Sequence, residues 1–144
     1  MVSVPAEDRL ALQELSARYA VNCDTKQFSR VSRLWASDGI WDETVIGLPL
    51  CEGRAAIHEF FCGPAPDALE FIHHTTSNHV IDTFDGETAS GTAHLYAEGR
   101  FFGNTVRVLG YYADDYIKVE NDWLFQRRQL REIGPSEGFA VQQG

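Results

Sequence analysis

The change in apolar periodicity near Val80 constrains the fold more strongly than any other feature of this sequence. From there the chain consists of four alternating runs, "HVIDTF", "TASGTAHLYAEGRFF", "TVRVLGYYADDYIKV" and "WLFQRRQLREI", joined by the hairpin signals "DGE", "GN" and "END". Two runs contain about 14 residues, and a flat strand of that length would span ~46 Å, too long for a compact domain. The strands must therefore curve, and bends or bulges are expected at Gly91, Gly99 and Gly110.

Helical spacing predicts three helices before this sheet. The first, "PAEDRLALQELSARYAVNCD", ends near Asp24. The second is short, lies in "TKQFSRVSRLWASDG" and stops at Asp38-Gly39, and the third, "GRAAIHEFFCGP", is closed by Gly63-Pro64. Between them "IWDETVIG" predicts a strand. Residues 1–144 are thus predicted to form one α+β domain, a cone of three N-terminal helices packed on a strongly curved, mostly antiparallel sheet enclosing one pocket.

Charge and hydropathy narrow the classes of partner. The formal net charge is -9, and the 12 Lys and Arg residues are scattered rather than clustered, so we expect no nucleic acid partner. No apolar run approaches the ~18 residues of a membrane span, so we expect no membrane partner. The start, "MVSVPAEDRL", lacks a basic region followed by an apolar stretch, which favours a cytoplasmic location.

Three of the five histidines lie in one short stretch, "EFIHHTTSNHVID". In an extended segment His73 and His74 point to opposite faces, so His74 and Asn78 share one face and His79 falls with His73. Ordinary hydrogen-bonded residues at a strand end would give the same pattern. A metal site would require three convergent ligands, and "HEFFC" at His58 lacks the second histidine of a metal-binding helix. We therefore predict no metal.

Asp24, at the end of the first helix, is a candidate partner for a histidine, although it is equally suited to begin the second helix. Tyr19 lies five residues earlier, and this spacing predicts a shared cavity only if the chain unwinds after Cys23. In the last strand Arg127, Arg128 and Arg131 are typical of surface charge, but one of them could close the mouth of the cone.

The order of elements and these residues resemble the SnoaL-like branch of the NTF2-like superfamily of α+β cones. Within it, the pattern is nearest to the scytalone dehydratases, bile acid 7α-dehydratases and hexachlorocyclohexane dehydrochlorinases. The resemblance covers nearly the whole chain and rests on four segments, "LSARYAVNCDTKQFSRVSRLWASDGIWD", "CEGRAAIHEFF", "HHTTSNHVID" and "YYADDYIKVENDWLFQRR".

The resemblance implies a catalytic pair of Asp24 and His74, with Tyr19 as a proton-handling residue. It also implies substrate-binding roles for Trp41, for Asn78 of the H-x-x-x-N pattern and for a final-strand arginine, Arg128 or Arg131. The chain departs from the pattern near Ala97 and Glu98, where some relatives carry a further polar catalytic residue.

The implied function is a cofactor-independent lyase, a dehydratase or similar elimination enzyme acting on a small, hydrophobic, cyclic substrate. An isomerase, a polyketide-type cyclase, or a non-catalytic ligand-binding or assembly module are the alternatives, and a homo-oligomer, dimer or trimer, is expected. We expect His74 and Asp24 to meet inside the pocket near Tyr19 and Trp41, with His73 and His58 outside it.

Overall fold

The structure is a computed structural model that describes residues 1–139. Helix α1 spans Ala6–Asp24 and helix α2 spans Arg54–Phe61. The strands are β1 (Trp35–Asp42), β2 (Cys51–Glu52), β3 (Leu69–Phe84), β4 (Thr88–Phe101), β5 (Asn104–Val119) and β6 (Asp122–Glu132). Short 3-10 turns lie at Phe28–Arg30, Ser32–Leu34, Thr44–Ile46 and Ala65–Ala68.

The strands form one six-stranded sheet in the order β2-β1-β6-β5-β4-β3. Only the β1–β6 pair is parallel among the described strands, and the other neighbours are antiparallel. The helices pack on this curved sheet, with α1 against β3 and α2 against β1. The predicted α+β cone is confirmed.

The predicted second helix is wrong. Its segment contains two 3-10 turns, and the chain becomes extended at Trp35, which starts β1 opposite Phe125 of β6. Trp35 is fully buried and its ring centroid lies 4.8 Å from that of Phe125. The burial of this large aromatic pair in the sheet outweighs the weak helical propensity of the segment.

Close backbone approach explains two of the predicted bend glycines. A Cβ atom at Gly99 would lie 2.3 Å from the carbonyl oxygen of Phe71, and one at Gly91 would lie 2.5 Å from that of Val80. Phe71 and Val80 each adjoin a register shift in the β3–β4 ladder. A side chain at either glycine would push the strands apart where β3 is irregular, so glycine permits the curvature.

The first helix begins after Pro5, with Glu7 and Asp8 in its first turn, where acidic side chains interact favourably with the helix dipole. Asp8 also joins the helix to the β5–β6 hairpin, since its Oδ1 accepts hydrogen bonds from Trp123 Nε1 (2.9 Å) and Lys118 Nζ (3.2 Å). Among residues 1–139 no helix has the length and apolar character needed to cross a membrane. The expected dimer or trimer remains a prediction, which sedimentation equilibrium would test.

Candidate active site

The carboxylate of Asp24 binds His74 at two points. Oδ2 accepts a hydrogen bond from the backbone N–H of His74 at 2.9 Å, and Oδ1 lies 2.6 Å from His74 Nδ1. Both side chains are largely buried, whereas the His73 side chain is 75% exposed and its Nδ1 is 3.7 Å from Asp24. A carboxylate at Nδ1 selects the tautomer with its proton there, so Nε2 is the bare nitrogen that can take up a proton.

Tyr19 reaches the same site without the unwinding that its spacing suggested. Helix α1 continues regularly through Asp24, and Tyr19 lines the pocket whereas Asp24 does not. The ring of Tyr19 packs edge-on against the His74 imidazole, with 5.8 Å between centroids. Strand β3 packs on α1 and carries His74. The His74 imidazole contacts both Asp24 and Tyr19, although these two residues are five positions apart in the helix.

A second polar group faces the site, and sequence reasoning missed it. The Tyr19 hydroxyl donates a hydrogen bond to Glu43 Oε2 at 2.9 Å and accepts one from Trp41 Nε1 at 3.1 Å. All three residues are buried, and Glu43 is only 7% exposed. Glu43 directly follows the end of β1 at Asp42. The available signal was an acidic residue two positions after the predicted pocket aromatic Trp41.

Burial controls the protonation of this group. Desolvation raises the pKa of the Glu43 carboxyl, and its electrostatic interactions with His74 and Arg128 and its hydrogen bonds with Tyr19 and Trp41 offset this only in part. Desolvation and the charge of Glu43 likewise raise the pKa of the Tyr19 phenol well above its ordinary value. Tyr19 therefore remains a neutral hydrogen-bond donor.

These polar groups lie in the wall of a pocket that is otherwise mostly apolar. Tyr19, Glu43 and His74 line it, while Asp24 lies behind His74 rather than in the wall. An aromatic group closes one side, since the ring of Trp41 lies 5.0 Å from each of the rings of Phe60 and Phe61. Aliphatic residues that contribute to the wall include Ile72, Leu95 and Val108.

Asn78 lies outside this pocket. It has a left-handed φ of 49° and is exposed, and its Nδ2 is 3.2 Å from His94 Nδ1. The β3–β4 register shifts between Ser77 and Val80, so a bulge interrupts the alternation that placed Asn78 with His74. His79 consequently turns inward, and its Nε2 lies 2.9 Å from the Tyr116 hydroxyl. The predicted facing of Asn78 and His79 is therefore wrong.

Arg128 is fully buried and lies outside the pocket wall. Its Nε and Nη2 donate to the two carboxylate oxygens of Asp114 at 2.9 Å each, and Nη2 also donates to Ser16 Oγ at 2.8 Å. The guanidinium lies 3.8 Å from the ring centroid of Tyr112 and 5.0 Å from that of Tyr19. Burial alone would lower the pKa of Arg128, but the charge of Asp114 outweighs it and raises that pKa.

Two further residues lie away from the pocket. Arg131 is exposed and donates to Gln129 Oε1 at 3.2 Å. His58 Nδ1 is 3.2 Å from the hydroxyl of Ser32.

Within residues 1–139 no group of three or more His, Cys, Asp or Glu side chains is arranged to hold a metal ion. The absence of a metal stays a prediction, which elemental analysis of protein purified without chelator would test.

The family model described as the SnoaL-like domain matches residues 4–129. This chain belongs to the SnoaL-like family. The resemblance inferred from the sequence is thereby confirmed. Among curated proteins no sequence matches this chain.

Solved structures share the fold over nearly the whole chain. A protein of Novosphingobium aromaticivorans provisionally named an aromatic ring hydroxylase is 30% identical, with a TM-score of 0.87 over 94% of this chain and 96% of its own. Another protein of that organism, provisionally named a scytalone dehydratase, is 21% identical (TM-score 0.79; 90% and 85% coverage). A hexachlorocyclohexane dehydrochlorinase of Novosphingobium barchaimii is 17% identical (TM-score 0.76; 89% and 88% coverage). The SnoaL-like chain therefore has a fold that also occurs in these proteins.

Proposed function

We propose that this SnoaL-like protein is a cofactor-independent lyase that eliminates water or a comparable leaving group from a cyclic, largely apolar small molecule. The observation that carries the proposal is the 2.6 Å contact between Asp24 and His74 Nδ1 at the wall of an apolar pocket. A non-catalytic binding module would not require this contact. The 30% identical relative is provisionally named a hydroxylase. We nevertheless propose an elimination, because the polar groups that line this pocket are ones that transfer protons.

His74 acts as the general base in this proposal. Its Nε2 takes a proton from a carbon next to a carbonyl or beside the leaving group, and Asp24 stabilises the imidazolium that forms. Burial of the pair strengthens this electrostatic effect. An isomerase would begin with the same proton transfer, so it remains the nearest alternative.

The aromatic wall supports a cyclic apolar substrate. The rings of Trp41, Phe60 and Phe61 pack together on one side of the pocket and present a flat apolar surface to the ring of a substrate. Tyr19 supplies a neutral hydroxyl that can stabilise an enolate oxygen or a departing group. Asn78 and Arg128 were expected to bind substrate. Both lie outside the pocket wall, where Asn78 contacts His94 and Arg128 binds Asp114.

A generic probe of base-promoted elimination tests the proposal before the natural substrate is found. Nitrobenzisoxazole opens when a base removes the C–H proton of its isoxazole ring, and the coloured cyanonitrophenolate product is followed by absorbance. We expect His74→Ala to lower the rate by about 10²–10⁴, the usual contribution of a positioned general base. The matched control is His73→Ala, which removes the adjacent exposed imidazole. Equal rates for wild type and His74→Ala would disprove the assigned base.

A further inference from the structure

Two carboxyl groups serve this site, and their surroundings differ. Asp24 is engaged by His74 through both its oxygens. Glu43 lies in the pocket wall and accepts a hydrogen bond from the Tyr19 hydroxyl. Paired carboxyl groups in contrasting environments are the arrangement that separates an acid from a base in an active site.

The surroundings of Glu43 favour its neutral form. It is 7% exposed, and none of the described Lys or Arg side chains forms an ion pair with it. The buried cation Arg128 is bound to Asp114, and its guanidinium lies 5.0 Å from the ring centroid of Tyr19. A carboxylate in apolar surroundings without a paired cation is strongly disfavoured relative to the acid.

We propose that Glu43 is a second catalytic residue, which donates a proton to an oxygen leaving group while His74 removes a proton from carbon. The inference deepens the proposed elimination and rests on it. It assigns the substrate to the alcohols, so that the reaction is a dehydration. A halide departs as a stable anion and has no need of this proton, whereas hydroxide is a poor leaving group unless it is protonated.

The proton and electron balance of the step closes within the site. His74 Nε2 takes the proton of a C–H bond, and the electron pair of that bond forms the new C=C bond. The C–O bond breaks with its electron pair on oxygen, which receives the Glu43 proton directly or through the Tyr19 hydroxyl and departs as water. The site then holds a His74 imidazolium and a Glu43 carboxylate. Passage of one proton from His74 to Glu43 through the released water restores both groups.

Trp41 positions this donor. Its indole N–H donates to the Tyr19 oxygen, so the Tyr19 hydroxyl hydrogen is directed to Glu43. This arrangement holds the phenol and the carboxyl together beside the pocket. A carboxylic acid and a phenol can exchange donor and acceptor roles, so the same contact persists after the proton has left.

The experiment compares two probes that differ only in the leaving group. Nitrobenzisoxazole releases a well-stabilised phenolate, whereas unsubstituted benzisoxazole releases a more basic one that benefits more from proton donation. We expect Glu43→Gln, which keeps the shape of the side chain and removes the acid, to slow the unsubstituted probe by about 10²-fold and the nitro probe by less than about tenfold. The control is Asp42→Asn, because the neighbouring Asp42 binds Thr44 and Gln129 instead of facing the pocket.

Equal losses on the two probes, or no loss, would overturn the role of Glu43, while the His74→Ala result would still decide the proposed elimination separately. Infrared spectroscopy in D₂O provides a readout independent of turnover. A protonated carboxyl stretching band at neutral pH should be present in the wild type and absent from Glu43→Gln. A spectrum of the wild type without that band would also overturn the inference.

Discussion

Tyr19 lies between two buried polar regions that contain similar residue types and are built differently. On one side the pocket holds His74 and Glu43, which have few partners and face open space. On the other, the carboxylate of Asp114 binds two nitrogens of Arg128, and the Tyr116 hydroxyl donates to it at 2.9 Å. In the first region polar groups face the pocket, whereas in the second the charged groups bind one another.

The difference shows how burial can serve either chemistry or architecture. A buried ion pair with good geometry is held in place by its own hydrogen bonds, and losing one partner leaves an uncompensated charge. A buried acid without a cation is costly to the fold, but its proton is available for transfer. Substitutions in the pocket should therefore affect rate more than stability, and substitutions at the ion pair should do the reverse.

The largest expected effect on rate tests whether Asp24 and His74 act as one unit. Asp24→Asn should lower turnover of nitrobenzisoxazole strongly with little change in shape, because an amide neither stabilises the imidazolium nor secures the reactive tautomer. The double variant with His74→Ala should be little worse than His74→Ala alone, since residues that act together give non-additive losses. Steady-state rates of the three variants check this. Losses that multiply would mean that the two residues act separately.

The largest expected effect on stability lies on the other side of Tyr19. Arg128→Met should lower the free energy of unfolding by about 3–5 kcal/mol, because Asp114 is left charged and buried. For a domain of this size that corresponds to a fall in Tm of roughly 6–20 °C. Calorimetry measures the change.

The control for that experiment is the double variant Arg128→Met with Asp114→Asn, which removes the stranded charge and keeps an acceptor for Tyr116. We expect it to recover much of the lost stability. His74→Ala, measured in the same way, should cost far less. If Arg128→Met left Tm unchanged while abolishing turnover, Arg128 would belong with the pocket and the comparison would fail.

The resemblance to the SnoaL-like family implied the Asp24–His74 pair, and both positions could be located from local features, a helix end and the H-x-x-x-N pattern. Asn78 could not be placed in this way. Its position depends on a bulge set by the pairing of β3 with β4, and one extra residue reverses the facing of all that follow. The alternation of side chains along β3 therefore predicted their facing correctly up to Ser77 and wrongly beyond it.

Glu43 was missed, and the second helix was wrongly predicted, for a related reason. The burial of Glu43 follows from β1, whose parallel pairing with β6 joins segments about 90 residues apart in sequence. The same pairing draws Trp35 into the sheet. Local periodicity carries no information about such contacts, whereas the antiparallel meander, whose strands are neighbours in sequence, was readable from its turns.

Glu43→Gln should change stability less than Arg128→Met does, and it should stabilise the protein instead of destabilising it. Because the pKa of Glu43 is raised, the folded state binds more protons than the unfolded state, and stability falls as pH rises through the folded-state pKa. The groups around Glu43 are Tyr19, Trp41, His74 and Arg128. The variant should gain in Tm relative to wild type as pH increases from 4.5, the ordinary value, toward neutrality. A gain independent of pH would show that Glu43 does not change its protonation on unfolding.

The smallest effect concerns Asp8, whose carboxylate is bound by Trp123 and Lys118. Its contribution to stability should depend on pH in the opposite direction to that of Glu43. The hydrogen bond from Trp123 lowers the pKa of Asp8 more than any other interaction, and Lys118 adds to the decrease. The unfolded state therefore binds more protons, so the stabilisation by Asp8 is present above its ordinary value of 3.8 and is lost as pH falls through the lower folded-state pKa. Asp8→Asn should lower Tm modestly at neutral pH, with the difference from wild type shrinking in acid. Added salt should remove only the part that comes from Lys118, because screening weakens a partly exposed ion pair and leaves the indole hydrogen bond intact. If Asp8→Asn and Glu43→Gln changed Tm with the same dependence on pH, pairing would not be what separates the two kinds of acid in this fold.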